Sequence, residues 1–202
     1  MRLRDEEGGS EPLHRGLSRE TQREILRRYG VRPKRRFGQN FLIDPNAIEK
    51  VVDLAQIGPT DTVVEIGSGS GAITGKLADL AAAVHAVEVD TTLAAILKQE
   101  YSGRNVIVHT CDIRKFEFEK LAEIAGAPLM VVGNLPYYIT TDILFTLLAN
   151  SRYITRCTLM VQKEYAQRLV AAPGSKDYSA LTVAVQFRAE VEFLMSLEPG
   201  VF

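Results

Sequence analysis

The strongest restriction on the fold is a regular alternation between short β-type runs and helical stretches that begins after Pro45. Apolar and β-branched runs predict strands at residues 61–66, 84–89, 105–109, 129–132, 158–161 and 190–197. Helices are predicted at residues 72–80, 91–101, 141–148 and 163–171, and upstream at residues 18–29 with Ser18 as N-cap. Strands that alternate with helices form βαβ units, so we predict an α/β protein with a parallel sheet.

Length and composition limit what can surround this sheet. The chain has 202 residues, of which 46% are hydrophobic and 24% are charged, enough for one well-buried domain and a short appendage. No apolar run reaches the roughly 18 residues that a membrane span requires. The charged N-terminus has no apolar core and does not resemble a secretory signal. We therefore expect a cytoplasmic protein with no membrane partner.

Cysteine and histidine residues are few and scattered. Cys111 and Cys157 lie far apart, outside any Cys-x-x-Cys pair, and His14, His85 and His109 do not cluster. Disulfide frameworks and tetrahedral metal sites both need grouped residues. We predict neither a disulfide nor a metal site.

Charge is distributed very unevenly along the chain. The net charge of the whole chain is −1, yet residues 15–36 contain nine basic and two acidic side chains, a net charge of +7. Such a segment favours binding to a polyanion, because basic side chains that neutralise phosphates release counterions. From charge alone, a solvated helix or tail without a partner is an equal alternative.

A glycine-rich loop follows the first predicted strand. Gly67, Gly69 and Gly71 have the spacing Gly-x-Gly-x-Gly, and a predicted helix comes next. Glycine allows a sharp turn and a close approach of the backbone to a ligand. The spacing differs from the Gly-x-Gly-x-x-Gly of dinucleotide binders and favours S-adenosylmethionine, which has no pyrophosphate. A tight turn without a ligand is the alternative.

Acidic residues follow the next two predicted strands. Glu88 lies 21 residues after Gly67, where nucleotide-binding sheets place an acceptor for ribose hydroxyls. Asp90 is predicted to cap the following helix. Asp112 is placed to accept a hydrogen bond from an adenine amino group, with a turn-forming aspartate as the alternative.

The fourth predicted strand runs into Asn134, Leu135, Pro136 and Tyr137. The Asn134 side-chain oxygen and the Leu135 carbonyl can accept both hydrogens of an adenine amino group and turn its lone pair toward a methyl donor. Pro136 restricts Leu135 to extended geometry and holds that carbonyl in place. Tyr137 offers a ring on which a flipped-out base stacks. These four residues are the predicted catalytic loop, with a plain proline turn as the alternative.

Several motifs together resemble the rRNA adenine N6,N6-dimethyltransferase family. They are Phe37-Gly38-Gln39-Asn40-Phe41-Leu42-Ile43-Asp44, the glycine loop, Asn134-Leu135-Pro136-Tyr137, Gln162-Lys163-Glu164 and the segment from Pro173 to Thr182. The resemblance implies a Rossmann-like class I methyltransferase sheet with helices on both faces. It also implies a cofactor site formed by Asn40, Leu42, Gly67, Gly69, Glu88, Asp112 and Asn134.

The resemblance further implies a substrate. Family members dimethylate two adjacent adenosines in the 3′-terminal hairpin of small-subunit rRNA during ribosome biogenesis. Related enzymes modify large-subunit rRNA, but the complete Gly-Gln-Asn-Phe-Leu segment and the Gly-Ser-Lys-Asp-Tyr loop favour the small-subunit branch. We expect a monomer that acts on small-subunit rRNA within a pre-30S-type particle.

Two segments are predicted, a basic and partly disordered extension at 1–36 and the S-adenosylmethionine-binding domain at 37–202. Family members continue beyond Phe202 into a last strand and a small helical domain. We therefore expect this chain to bind the cofactor but to methylate rRNA weakly or not at all. Two rival functions are an NAD-dependent oxidoreductase, which the glycine spacing disfavours, and a non-catalytic nucleic-acid-binding module, which the intact catalytic loop disfavours.

Overall fold

The computed structural model describes residues 22–31 and 40–202. The predicted disordered tail, the Ser18 cap, most of the basic segment and the motif residues Phe37 to Gln39 lie outside the described residues. The remainder of the predicted upstream helix is present as α1 (Gln22–Arg28).

Five parallel strands form one sheet, which confirms the predicted α/β class. They are β1 (Thr62–Ile66), β2 (Ala83–Val87), β3 (Val106–His109), β4 (Leu129–Asn134) and β5 (Ile154–Met160). Their order across the sheet is β3-β2-β1-β4-β5. The order reverses between β1 and β4, so the connections that leave these two strands diverge and open a crevice at their carboxyl ends.

Helices cover both faces of the sheet. They are α2 (Pro45–Ala55), α3 (Thr74–Leu80), α4 (Thr91–Glu100), α5 (Phe118–Ala125), α6 (Thr140–Ala149), α7 (Lys163–Leu169) and α8 (Ala180–Gln186). Because strand side chains alternate between faces, Val63 packs with α2 and α3 while Val64 packs with α5 and α6. No helix within the described ranges is long and apolar enough to cross a bilayer.

Helix α1 packs against the domain. Its Ile25 contacts Leu93 and Ile96 of α4 in a small buried cluster that Phe41 also joins. Arg28 forms an ion pair of 2.7 Å with Glu100 at the end of α4. The boundary predicted between residues 36 and 37 stays a prediction, but this part of the extension is docked on the domain.

One predicted strand is wrong. Residues 190–198 form no strand, although their side chains alternate as a strand requires. Within the described residues β5 pairs only with β4, so no ladder reaches this segment. The chain instead crosses toward α2, where Leu197 packs into the core and the Val201 carbonyl accepts from Ile43 N at 2.9 Å. A strand needs a backbone partner as well as a pattern.

Three helices were not predicted: α2, α5 and α8. Helix α2 begins where the Asp44 carboxylate accepts from Ala47 N at 2.8 Å, with Pro45 in its first turn. Helix α8 is rich in β-branched residues, but Ser179 and Thr182 form a capping box that starts it. The fifth strand also begins four residues earlier than predicted, at Ile154.

Candidate cofactor and catalytic site

The glycine loop lies at the carboxyl end of β1 and requires its glycines. Gly67, Gly69 and Gly71 have φ angles of +67°, +59° and +87°. A Cβ on Gly69 would lie 3.2 Å from the Phe41 ring, so a side chain would be both strained and crowded. Gly67 N donates to the Val87 carbonyl at 2.9 Å and fixes the loop to β2.

Tyr101 packs against the glycine loop, a contact that the sequence did not predict. Its buried hydroxyl donates to the Gly71 carbonyl at 2.7 Å. A Cβ on Gly71 would lie 2.7 Å from the Tyr101 ring, so the tyrosine fits only against a glycine. No local pattern marks Tyr101, because the contact depends on how α4 packs beside the loop.

Glu88 connects the loop to the end of β2. Its carboxylate oxygens accept from Gly69 N and from Asp90 N, both at 2.8 Å. Burial raises the pKa of the Glu88 carboxyl above its ordinary value, although these backbone donors oppose the shift. An ionised carboxylate offers about four acceptor positions, so these backbone donors do not use all of them and a ligand such as a ribose can still donate to it. Asp90 caps α4 as predicted, accepting from Thr92 N at 2.9 Å.

Asp112 lies after β3 and is held by Arg114. Its carboxylate accepts from Arg114 N at 3.0 Å and from the guanidinium Nη2 at 2.6 Å. Hydrogen bonding to Arg114 lowers the pKa of the Asp112 carboxyl. Asp112 also caps a short 3-10 helix at Ile113–Lys115. The turn-forming role that competed with ligand binding is therefore present, and the adenine contact stays a prediction.

The Asn134 side chain has a defined orientation at the end of β4. Its Nδ2 donates to the Asn40 carbonyl at 2.8 Å. A carbonyl can accept only from the NH₂ end of an amide, so this bond determines which way the amide points. Among the described residues Oδ1 receives no hydrogen bond, which leaves it available as an acceptor.

In the rest of the predicted catalytic loop, hydrogen bonds hold the backbone in place, whereas the Tyr137 ring is exposed. Leu135 N donates to the Met160 carbonyl at 3.0 Å, and the Leu135 side chain is buried. Pro136 has φ −66° and ψ 126°, and its carbonyl accepts from Thr140 Oγ1 at 3.0 Å. Tyr137 is 61% exposed and meets Tyr138 edge to face. The loop thus presents a free aromatic face beside a constrained carbonyl.

A pocket opens where β1 and β4 diverge and encloses about 330 Å³ of empty space, part of it open to solvent. Five of the predicted cofactor residues line it, namely Asn40, Leu42, Gly67, Gly69 and Asn134. Leu42 is only 3% exposed and belongs to the core, and it borders the pocket from that side. Glu88 reaches the pocket through Gly69, while Asp112 lies outside its lining.

Glu65 is a further pocket residue to which the sequence assigned no role. Its side chain is 2% exposed, and Thr74 Oγ1 donates to one carboxylate oxygen. Burial raises the pKa of Glu65 to about 7. Its position directly before the glycine loop was the visible signal. Among the described residues no group of three histidine, cysteine or acidic side chains lies close enough to hold a metal ion.

Comparison with known families adds independent information. A family model described as ribosomal RNA adenine dimethylase matches residues 30–202. A ribosomal RNA small subunit methyltransferase A from Aromatoleum aromaticum is 45% identical over 171 residues, covering 85% of this chain and 63% of the relative. The protein of the same name from Geobacillus kaustophilus is 45% identical over 186 residues, covering 89% and 63%. The chain thus spans about 63% of the length of these curated relatives.

Solved structures agree with the sequence relatives. A dimethyladenosine transferase from Plasmodium falciparum superposes with a TM-score of 0.62 at 32% identity, covering 73% of this chain and 52% of that one. The 23S rRNA methyltransferase ErmE superposes with a TM-score of 0.60 at 33% identity, covering 71% and 56%. Both share the arrangement of sheet and helices described above.

Proposed function

The chain belongs to the ribosomal RNA adenine dimethylase family, and on this premise we propose that it is a methyltransferase that converts adenosine in rRNA to N6,N6-dimethyladenosine. The proposed substrate is the pair of adjacent adenosines in the 3′-terminal hairpin of small-subunit rRNA, modified during small-subunit biogenesis. The observation that carries the proposal is the position of the Asn134–Tyr137 loop, at the strand end that borders the glycine-loop pocket.

The proposed methyl donor is S-adenosylmethionine, and the residues present suit it. Gly67 and Gly69 line the pocket with backbone alone, and a Cβ on Gly69 would lie 3.2 Å from the ring of Phe41, which also lines it. Gly67, Gly69, Asn40 and Leu42 would hold the ligand through their backbones, and Glu88 would accept from its ribose hydroxyls. When bound, the cofactor supplies an electrophilic methyl group on a positively charged sulfur.

The catalytic loop would orient the target amino group. The lone pair of an adenine amino group is delocalised into the ring, which makes it a weak nucleophile. Asn134 Oδ1 and the Leu135 carbonyl, by accepting its two hydrogens, favour a pyramidal nitrogen with the lone pair available. The Tyr137 ring would stack on the base and fix its plane. Catalysis of this kind rests on orientation, which is worth several kcal/mol.

Proton removal would need no dedicated base. Asn134 is neutral, so it cannot take up the proton. Its oxygen would stabilise the positive charge that develops on the amino nitrogen as the new N–C bond forms and the S–C bond of the methyl donor breaks, with that electron pair staying on the sulfur. The amino group is strongly acidic once methylated and positively charged. It loses its proton to water at the exposed mouth of the loop, beside Tyr137. After exchange of the spent cofactor for a second molecule of the methyl donor, the same site would accept the monomethylated amino group, whose one remaining hydrogen needs only one of the two acceptors.

Nucleoside mass spectrometry tests this function. The chain is incubated with S-adenosylmethionine and undermethylated small-subunit particles, and the RNA is then digested. We expect a small but measurable amount of N6,N6-dimethyladenosine from wild type, almost none from Asn134→Ala, and the wild-type amount from the control Asn46→Ala, which changes an exposed residue of α2. Product only in large-subunit rRNA, or equal product from Asn134→Ala, would contradict the proposal.

RNA binding by the basic segment, a monomeric state and a cytoplasmic location stay predictions. The segment at residues 15–36 carries a net charge of +7 and would contact phosphates. Binding of this kind weakens steeply with salt. RNA affinity is measured across a salt series for wild type and for a variant in which basic residues of the segment are replaced by neutral ones. This comparison tests RNA binding by the segment.

A further inference from the structure

Arg114 surrounds the carboxylate of Asp112 with hydrogen-bond donors. The backbone N and the guanidinium Nε of Arg114 both lie 3.0 Å from Oδ1, and Nη2 lies 2.6 Å from Oδ2. Nε is also 3.1 Å from Oδ2, so the planar guanidinium grips both oxygens. An ionised carboxylate has about four acceptor positions. The single N–H of Nε is shared between the two oxygens, so Oδ2 has one full hydrogen bond, from Nη2, and keeps one acceptor position open.

The other end of the guanidinium is anchored to a different element. Arg114 Nη1 donates to Asp142 Oδ2 at 3.2 Å. Asp142 lies in the first turn of α6, which follows the 3-10 helix at Tyr137–Ile139 directly. Arg114 therefore bridges the loop after β3 and the helix that continues from the catalytic loop.

The ion pair between Arg114 and Asp112 is accessible to water, so the second contact, with Asp142, matters for its geometry. The Arg114 side chain is 43% exposed, and an isolated exposed ion pair contributes little. A guanidinium held on both sides has few alternative rotamers, and bidentate geometry is the case in which such pairs matter. The result is a carboxylate whose orientation is fixed before any ligand arrives.

We propose that Arg114 is a positioning residue that orients the Asp112 carboxylate so that its one open acceptor position faces the amino group of the cofactor's adenine. This inference rests on the proposed function, since it concerns the same cofactor. A donor fits the open position. A carbonyl oxygen at the same place on the ring would face a negative oxygen and be repelled, so the subsite selects a purine that carries an amino group.

Two ligands that differ at that group provide the test. Calorimetry measures the affinity of the full chain for S-adenosylhomocysteine and for S-inosylhomocysteine, in which a carbonyl replaces the amino group. We expect wild type to prefer the adenosyl ligand by about tenfold or more. Arg114→Met should reduce this preference about threefold or more, toward the value for Asp112→Ala, and Asp142→Asn should reduce it less because the grip on Asp112 remains.

A merely structural role would not change this ratio. Lys120→Met removes an exposed cation from neighbouring α5 and is the matched control, expected to keep the wild-type preference. Thermal unfolding of each variant confirms that it is folded. An unchanged preference in Arg114→Met, or equal weakening of both ligands, overturns this inference alone. Failure of wild type to bind either ligand would overturn the proposed function together with it.

Discussion

Glu65→Gln is expected to change how stability depends on pH. Glu65 is buried beside the glycine loop, and burial raises the pKa of its carboxyl from 4.5 to about 7. Below pH 4.5 the group is protonated in both the folded and the unfolded chain. Between 4.5 and about 7 the folded protein keeps a proton that the unfolded chain has released. The free energy of unfolding therefore falls as pH rises through this window.

The size of the effect follows from that difference in pKa. The difference between 4.5 and about 7 corresponds to about 3 kcal/mol of stability. Rearrangement of the protein around the ionised carboxylate lowers this energy. Glutamine has nearly the same shape, can accept from Thr74 Oγ1 and does not ionise. As pH rises from about 5 to about 8, we expect the free energy of unfolding of Glu65→Gln to increase by about 1–3 kcal/mol relative to that of wild type.

Urea unfolding followed by circular dichroism at a series of pH values measures the difference between the two proteins. Contributions from other titrating groups, such as His85, are common to both and cancel. Glu49→Gln is the control, because the Glu49 side chain is 61% exposed and only pairs weakly with Lys76. Unfolding free energies of wild type and Glu65→Gln that stay parallel across the pH range would refute the reasoning.

Three further variants probe the site. Tyr101→Phe removes the shorter of the two hydrogen bonds to the Gly71 carbonyl, leaving only the 3.5 Å bond from Gly75 N. It should lower the free energy of unfolding in urea by about 0.5–1.5 kcal/mol; an unchanged value would contradict the supporting role of Tyr101. Gly69→Ala should weaken cofactor binding by about 1–3 kcal/mol, because the alanine would need a positive φ and would meet a ring at 3.2 Å. The control Gly103→Ala, also at positive φ but in open space, should bind the cofactor with wild-type affinity. Equal cofactor affinities of Gly69→Ala and Gly103→Ala would contradict a role of the glycine loop in binding. Tyr137→Ala should weaken RNA capture by about 1–3 kcal/mol while Tyr137→Phe is tolerated; equal losses in a methylation assay would rule out stacking.

Local signals made much of the site predictable from the sequence. Glycines that need positive φ, such as Gly67 and Gly69, follow a strand that is easy to recognise. In a parallel sheet the carboxyl ends of neighbouring strands meet at one edge. Residues after separate strands, such as Asn134 and Glu88, were therefore expected close to the glycine loop, and the structure places them there.

Features that depend on distant packing were not predictable. Tyr101 lies 30 residues after Gly71 in the sequence, and only the packing of α4 brings them together. The segment at residues 190–197 has the alternation of a strand, but strand formation depends on a partner elsewhere in the chain. Arg114 is near Asp112 in the sequence, yet its second contact, to Asp142, spans 28 residues. These contacts are set by tertiary structure.

The most direct test of the central claim is a calorimetric titration of the chain with S-adenosylhomocysteine and, separately, with NAD. We predict saturable binding of S-adenosylhomocysteine at one site and negligible binding of NAD. Glu88→Ala should weaken the first by about 1.5–3 kcal/mol, the range for hydrogen bonds to a charged group. Binding of NAD with comparable affinity, or no effect of Glu88→Ala, would contradict the assignment of this pocket to the methyl donor.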